Sequence, residues 1–154
     1  MADDQQPQFS IEKIYVKDLS LEVPNAPQVF LHAEQPQVEV QLGHAAQQPE
    51  PGIFDVALKV TVTAKSGDKT LFLAEAEQAA LFTIRNVPDA EMGPVLGVVC
   101  PNILFPYARE AISDLITRAG FPPVLLAPIN FEALYQQRAA ETEQAQGPKI
   151  EIAH

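Results

Sequence analysis

The sequence predicts an α+β fold: an antiparallel sheet with two main helices packed on one of its faces. Two observations carry this. Over residues 9–84 apolar side chains recur at every second position, the period of a half-buried strand, and from residue 101 they recur at helical spacing. The strands all precede the helices, which gathers the helices on one side of the sheet instead of alternating them between its faces.

The first strand-like stretch, FSIEKIYVKDLSLEV (residues 9–23), alternates in three sets: Phe9 and Ile11, Ile14 and Val16, then Leu19, Leu21 and Val23. The phase slips twice, as expected of one long strand carrying bulges. VPNAP stops it with two prolines that cannot donate to a ladder. QVEVQLG (37–43) alternates cleanly, with Val38, Val40 and Leu42 on one face, and HAAQQPEPG reads as a loop. IFDVALKVTVTAK (53–65) sets Phe54, Val56, Leu58, Val60 and Val62 against Asp55, Lys59, Thr61 and Thr63. SGDK is a hairpin signal. TLFLAEAEQAALFTI returns with Leu71, Leu73, Glu75 and Glu77 on one face and Phe72, Ala74 and Ala76 on the other. Short connections suggest a meander.

In PNILFPYAREAISDLITRAG (101–120), Leu104, Ala108, Ala111, Ile112 and Leu115 repeat at helical spacing. Asn102 suits an N-cap and Gly120 a C-cap, with Pro106 then near N4, where a helix start becomes irregular. Asn130 can cap a second helix that holds Phe131, Leu134 and Tyr135 against the core. Between them GFPPVLLAP is apolar, and Pro122, Pro123 and Pro128 keep it extended. Residues 1–8 are expected as a disordered segment, 9–140 as the folded domain, and 141–154 as a flexible acidic tail.

The 154 residues suit one domain with a real core. Twenty acidic against ten basic side chains, net charge -10, disfavour nucleic acid and anionic membranes as partners. One cysteine, Cys100, permits no internal disulfide and fits a reducing compartment. The polar start MADDQQPQ does not resemble a signal peptide, and no apolar run approaches the ~20 residues of a membrane span. A cytoplasmic location is expected.

No enzyme class emerges. GxxxxGK[ST] and GxGxxG are missing, and His32, His44 and His154 lie far apart without HExxH or CxxC spacing, so no cofactor or metal is expected. Cys100, beside Pro101 in an apolar run, reads as a buried inert thiol. Asp18, Glu22 and Glu75 lie on predicted strands among alternating apolar residues, where solvated outer-face charge is the plainer reading.

IYVKDLSLEVPNAPQVF and CPNILFPYAREAISDLITRAGFPPVLLAPINFEALY resemble the SecB family of protein-export chaperones, over about Phe9 to Tyr135. The resemblance implies a four-stranded antiparallel sheet with helices on one face, assembled as a homotetramer, a dimer of dimers. It implies ATP-independent holding of unfolded preproteins and their delivery to the SecA ATPase. The family's motor contact matches Asp18, Glu22, Leu73 and Glu75, which displaces the plainer reading of those carboxylates. Client binding is expected from a groove lined by Val38, Val40, Leu42, Phe121, Val124, Leu125 and Leu126. Glu34 departs from the family, standing where many relatives carry an aromatic before Gln-Pro. Ile103, Tyr107 and Ile116, off the main stripe of the first helix, imply burial on a second side, as an oligomer would give. Three rival readings stay open: a chaperone dedicated to one client, a hydrophobic small-molecule carrier, and a structural oligomer whose apolar loop is interface. The end, PKIEIAH, reads either as a secondary motor contact or as a solubilising tail.

Overall fold

Four long strands form one antiparallel sheet in the computed structural model, which describes residues 5–32 and 35–146. They are β1 (Gln8–Glu22), β2 (Gln37–Glu50), β3 (Ile53–Ser66) and β4 (Lys69–Arg85), in the order β1-β4-β3-β2. β2, β3 and β4 follow one another as hairpins. The expected meander fails at β1, which pairs with β4 instead of β2, from Gln8↔Arg85 to Glu22↔Leu73. Periodicity fixes the face of a strand but carries no signal for a partner sixty residues away.

The two phase slips in β1 are two bulges. Register shifts fall between Ile11 and Lys13 and between Val16 and Asp18, so Glu12 and Lys17 are the extra residues. Each bulge puts one polar residue on the open face and returns the apolar set to the helix-covered face. Side chains of β4 bond to β1 near each bulge: Gln78, buried, donates to the Tyr15 carbonyl at 3.0 Å, and the Thr83 hydroxyl donates to Glu12 at 2.8 Å.

A single helical run covers the sheet, beginning earlier than the sequence suggests. α1 (Asp89–Pro94) passes through a widened π turn at Val95–Val99 into α2 (Cys100–Arg118). Asn102 is therefore inside the helix and is not its N-cap. The wide turn ends just before Pro101, whose ring and missing N–H are incompatible with a regular turn. Pro106 is also internal, and both it and Asn102 are exposed, where water can serve the carbonyl that Pro106 leaves unpaired. By length and composition the run Asp89–Arg118 suffices to cross a membrane, contrary to the sequence reading. Here its stripe of Leu104, Ala108, Ile112 and Ile116 is sealed against Val56, Val60, Ala76 and Phe82 of the sheet.

Gly120 closes α2 as expected. Its φ is 93°, Phe121 N–H reaches the Ile116 carbonyl at 3.3 Å and Gly120 N–H reaches Thr117 at 3.0 Å, a Schellman arrangement. Asn130 caps α3 (Phe131–Gln146), its Oδ1 accepting from Ala133 N–H at 3.0 Å. The helix runs into the stretch expected as tail; the rest of that tail and residues 1–4 lie outside the described residues. α3 docks through Tyr135, whose ring lies over Gly93 and Gly97. A Cβ on Gly97 would come within 2.7 Å of the Tyr135 ring.

On the open face one polar cluster ties three strands together. Asp55 of β3, 4% exposed, accepts hydrogen bonds from Tyr15, from Lys17 at 2.6 Å and from Gln47 of β2 at 3.4 Å. Tyr15 and Lys17 reach it from β1 across the buried Ala79 of β4, a side chain small enough to be crossed. Burial pushes the Asp55 carboxyl up, but the hydrogen bonds from Lys17, Tyr15 and Gln47 outweigh it and hold the carboxyl below its ordinary range. Its folded value lies below its unfolded value of about 3.9, so its stabilisation is full above that pH and fades as pH falls through the lower, folded value. Asp55→Ala should cost about 1–3 kcal/mol at pH 7, because it leaves Tyr15 and Gln47 without their acceptor. Urea melts at pH 7 and pH 2.5 check this: the gap between the two proteins should narrow at the acid end.

Candidate functional site

The sheet has two unlike faces, and the expected site residues divide between them. On the open face the register sets Glu22 beside Leu73, Ser20 beside Glu75 and Asp18 beside Glu77, with Thr61 flanking Glu75 from β3. Asp18, Glu22, Leu73 and Glu75 thus lie within two adjacent strands on one surface. A depression of ≈170 Å³ is lined by Ser20, Glu22, Thr61, Leu73 and Glu75. Two residues join them that sequence reasoning had not assigned. Glu77 extends the carboxylate row, and Lys59 of β3 bridges to Glu75 at 2.9 Å while Thr61 donates to the other Glu75 oxygen at 3.3 Å. The alternation showed Lys59 and Glu75 on outward faces, but only the β3–β4 register makes them neighbours.

The helix face is apolar and incompletely covered. α2 lies over β3 and β4, so on the edge strand β2 Val38 and Val40 remain 45% and 42% exposed. Leu42 is half-buried beside Phe131 and Leu134 of α3. The segment 120–130 starts at Phe121, which packs on Phe72 at 5.0 Å and Phe30 at 5.2 Å, and runs back to Phe131, which meets Phe105 edge-on. Phe72 and Val38 both flank Ala64, so the Phe121 ring stands at the head of the uncovered β2 strip.

Leu126 does not belong to that surface. It is 5% exposed and part of the core, whereas its neighbour Leu125 is 67% exposed and lies with Pro123, Phe105 and Arg109 around a cavity of ≈530 Å³ against α2. An extended segment points successive side chains to opposite sides, so one of two adjacent leucines faces inward. Val124 is half-buried against the core. Phe30 and Leu31, exposed apolar residues ending a short 3-10 turn, adjoin Phe121 and were missed, since a single apolar pair in a proline-rich loop has no period to reveal it. Glu34 lies outside the described residues.

Two titratable groups complete the helix side. Burial pushes the Cys100 thiol up to about 12, so it is protonated and inert at neutral pH. His44 of β2 accepts at Nδ1 from Arg138 of α3 at 2.8 Å, since a guanidinium can only donate. Burial and the Arg138 charge hold His44 below its usual range, which keeps it neutral in that role. Among the described residues no three His, Cys, Asp or Glu side chains converge as metal ligands.

The comparisons with known proteins agree with one another. A family model described as preprotein translocase subunit SecB matches residues 2–142. A protein-export protein SecB of Chromobacterium violaceum is 64% identical over 140 residues, covering 91% of this chain and 93% of that one. Its counterpart in Methylobacillus flagellatus is 60% identical over 146 residues, covering 95% and 93%. Among solved structures, a SecB-like chaperone of Mycobacterium tuberculosis, in complex with a ChAD peptide from an antitoxin, shares the fold. Its TM-score is 0.65 at 21% identity, over 79% of this chain and 90% of that one.

The split between the two leucines gives a direct test. Leu126→Ser should lower the stability of the free protein by about 2–5 kcal/mol, the cost of emptying a core site. Leu125→Ser should leave stability within about 0.5 kcal/mol, as surface changes do. Denaturant titration of both variants at one protein concentration decides; equal losses would put Leu125 in the core too.

Proposed function

Because the chain belongs to the SecB family of protein-export proteins, we propose that it is an ATP-independent holding chaperone of the cytoplasm. It binds unfolded preproteins, keeps them competent for translocation and passes them to the SecA motor. The observation that carries this reading is the pair of unlike faces. An uncovered apolar strip on β2 is headed by Phe121 and the exposed Phe30, and a carboxylate surface lies on the opposite side of the same sheet.

The apolar side suits a chain client. Each Å² of apolar surface that a client buries there contributes ~25 cal/mol, so an extended segment along Val38, Val40 and Phe121, with Leu125 as a further exposed contact, competes with the client's own collapse by summing small contacts. The large cavities, of ≈420, 530 and 580 Å³, are surface depressions with mixed polar lining, which suits a small-molecule carrier poorly. The acidic side suits a basic partner, and Asp18, Glu22, Leu73 and Glu75 are the residues we assign to SecA.

Assembly as a dimer of dimers fits α2. Val99 and Tyr107 are exposed and Ile103 half-buried, spaced four residues apart on one side of the helix. Ile116, expected on that side, is buried in the core instead. Four chains of 16.8 kDa give about 67 kDa.

Without nucleotide, stoichiometric protein should delay the refolding of a slow-folding preprotein, followed by its fluorescence. Replacing Asp18, Glu22 and Glu75 together by Lys should abolish SecA binding in titration calorimetry and leave that delay unchanged. An equal loss of both activities would make the patch structural.

A further inference from the structure

The carboxylate surface carries its own cation. Lys59 projects from β3 onto the open face, half-exposed, and its Nζ lies 2.9 Å from Glu75 Oε1. The hydrogen bond and charge of Glu75 raise the Lys59 pKa, with smaller contributions from the charges of Glu77 and Asp18. The other lysine of this region, Lys17, is held by Asp55 at 2.6 Å. Lys59 is also at a boundary. It lines the ≈420 Å³ trough formed with Ala45, Ala57, Asp55 and Glu77, while Glu75 lines the ≈170 Å³ depression with Glu22 and Leu73. The Lys59–Glu75 bridge therefore spans the seam between the two hollows.

We propose that Lys59 is a resident counter-ion of this surface, neutralising Glu75 in the free protein and displaced by a Lys or Arg side chain of the docking partner. The proposal rests on reading the open face as the SecA contact. The physical case is one of competition. An exposed ion pair is worth little and opens readily, so it keeps Glu75 satisfied without locking it. A docking cation must win Glu75 from Lys59, and while Lys59 stays its positive charge opposes the newcomer. Once it swings aside, the two hollows join and the acidic row from Glu22 to Glu77 becomes continuous. Lys59 is then a positioning residue that lowers affinity and holds docking reversible, without itself touching the partner.

The test uses the full chain as wild type, Lys59→Gln, Lys59→Arg, Glu75→Gln and the Lys59→Gln/Glu75→Gln pair, with circular dichroism and light scattering to show equal fold and assembly. Each is titrated with SecA at 50 and 500 mM salt. Lys59→Gln should tighten binding about threefold at low salt, as expected for removing one like charge a few Å away in a high dielectric. That gain should vanish at high salt and fall by more than half when Glu75 is already Gln. Lys59→Arg, which keeps the charge, should stay within twofold of wild type. Unchanged or weaker binding by Lys59→Gln, alongside a loss in Glu75→Gln, would overturn the proposal and make Lys59 a bystander or a support for Glu75. If Glu75→Gln leaves SecA affinity untouched, the docking reading itself fails. Hexalysine, titrated against the same five proteins, then decides the point separately. A Glu75-dependent gain for Lys59→Gln sustains the counter-ion role, and equal hexalysine affinities overturn it.

Discussion

One helix is too narrow for this sheet, and much else follows. Strands lie about 4.8 Å apart, so four of them present a surface wider than the ~10 Å diameter of a helix. α2 seals β3 and β4, where Val56, Val60, Val62 and Ala76 are fully buried. The edge strands keep their apolar alternation beyond the reach of that cover: Phe9, Ile11, Val16 and Leu19 on β1, Val38 and Val40 on β2. α3 closes only one end, through Phe131, Leu134 and Tyr135. The chain therefore folds around a completed central core and retains apolar surface on both flanks. Such surface implies further burial by another chain, whether a second copy or a client.

How much of this could be read from the sequence depends on the range of the interaction responsible. Local signals were legible: the phase slips in β1 were two bulges, Gly120 was a left-handed helix stop and Asn130 a side-chain cap. The helix start was not, because GPVLGVVCP looks like a breaker. It is helical because the glycines make room for Tyr135 and a wide π turn accommodates Pro101. The place of β1 beside β4, the Asp55 cluster drawn from three strands, and the Lys59–Glu75 bridge all depend on pairing between distant segments. The family resemblance supplied the grouping of Asp18, Glu22, Leu73 and Glu75 where periodicity had only placed them outward. It could not distinguish Leu125 from Leu126, a matter of which way one residue of an extended segment turns.

The two faces of the sheet are separated by different physics, apolar packing on one and charge on the other. Contacts on the helix side scale with apolar area and are not weakened by charge screening; contacts on the open side depend on charge and are. β1 links them, since each bulge adds an outward polar residue, Glu12 or Lys17, while the apolar row continues past it from Ile11 to Ile14 and from Val16 to Leu19. Threaded through a regular strand without the two bulges, this sequence would turn Ile14 and Val16 to the open face, because a shift of one residue inverts a strand. Gln78, buried, holds β1 to β4 between the two bulges by donating to the Tyr15 carbonyl.

Exposed apolar surface ordinarily invites self-association, and the extended segment after α2 shows how this chain limits it. Pro122, Pro123 and Pro128 remove three N–H donors from GFPPVLLAP, so the segment cannot serve as a free strand edge for a neighbour's backbone. Leu126 anchors it in the core, and Phe121 is fixed between Phe30 and Phe72. Leu125 is thus presented from a backbone already restricted at both ends. A partner that packs against it does not have to order the segment, so less of the contact energy is lost to entropy. The net charge of -10 adds long-range repulsion between copies while leaving a neutral or basic chain free to approach. Short-range packing on the apolar side and long-range charge repulsion between assemblies then act together without a switch.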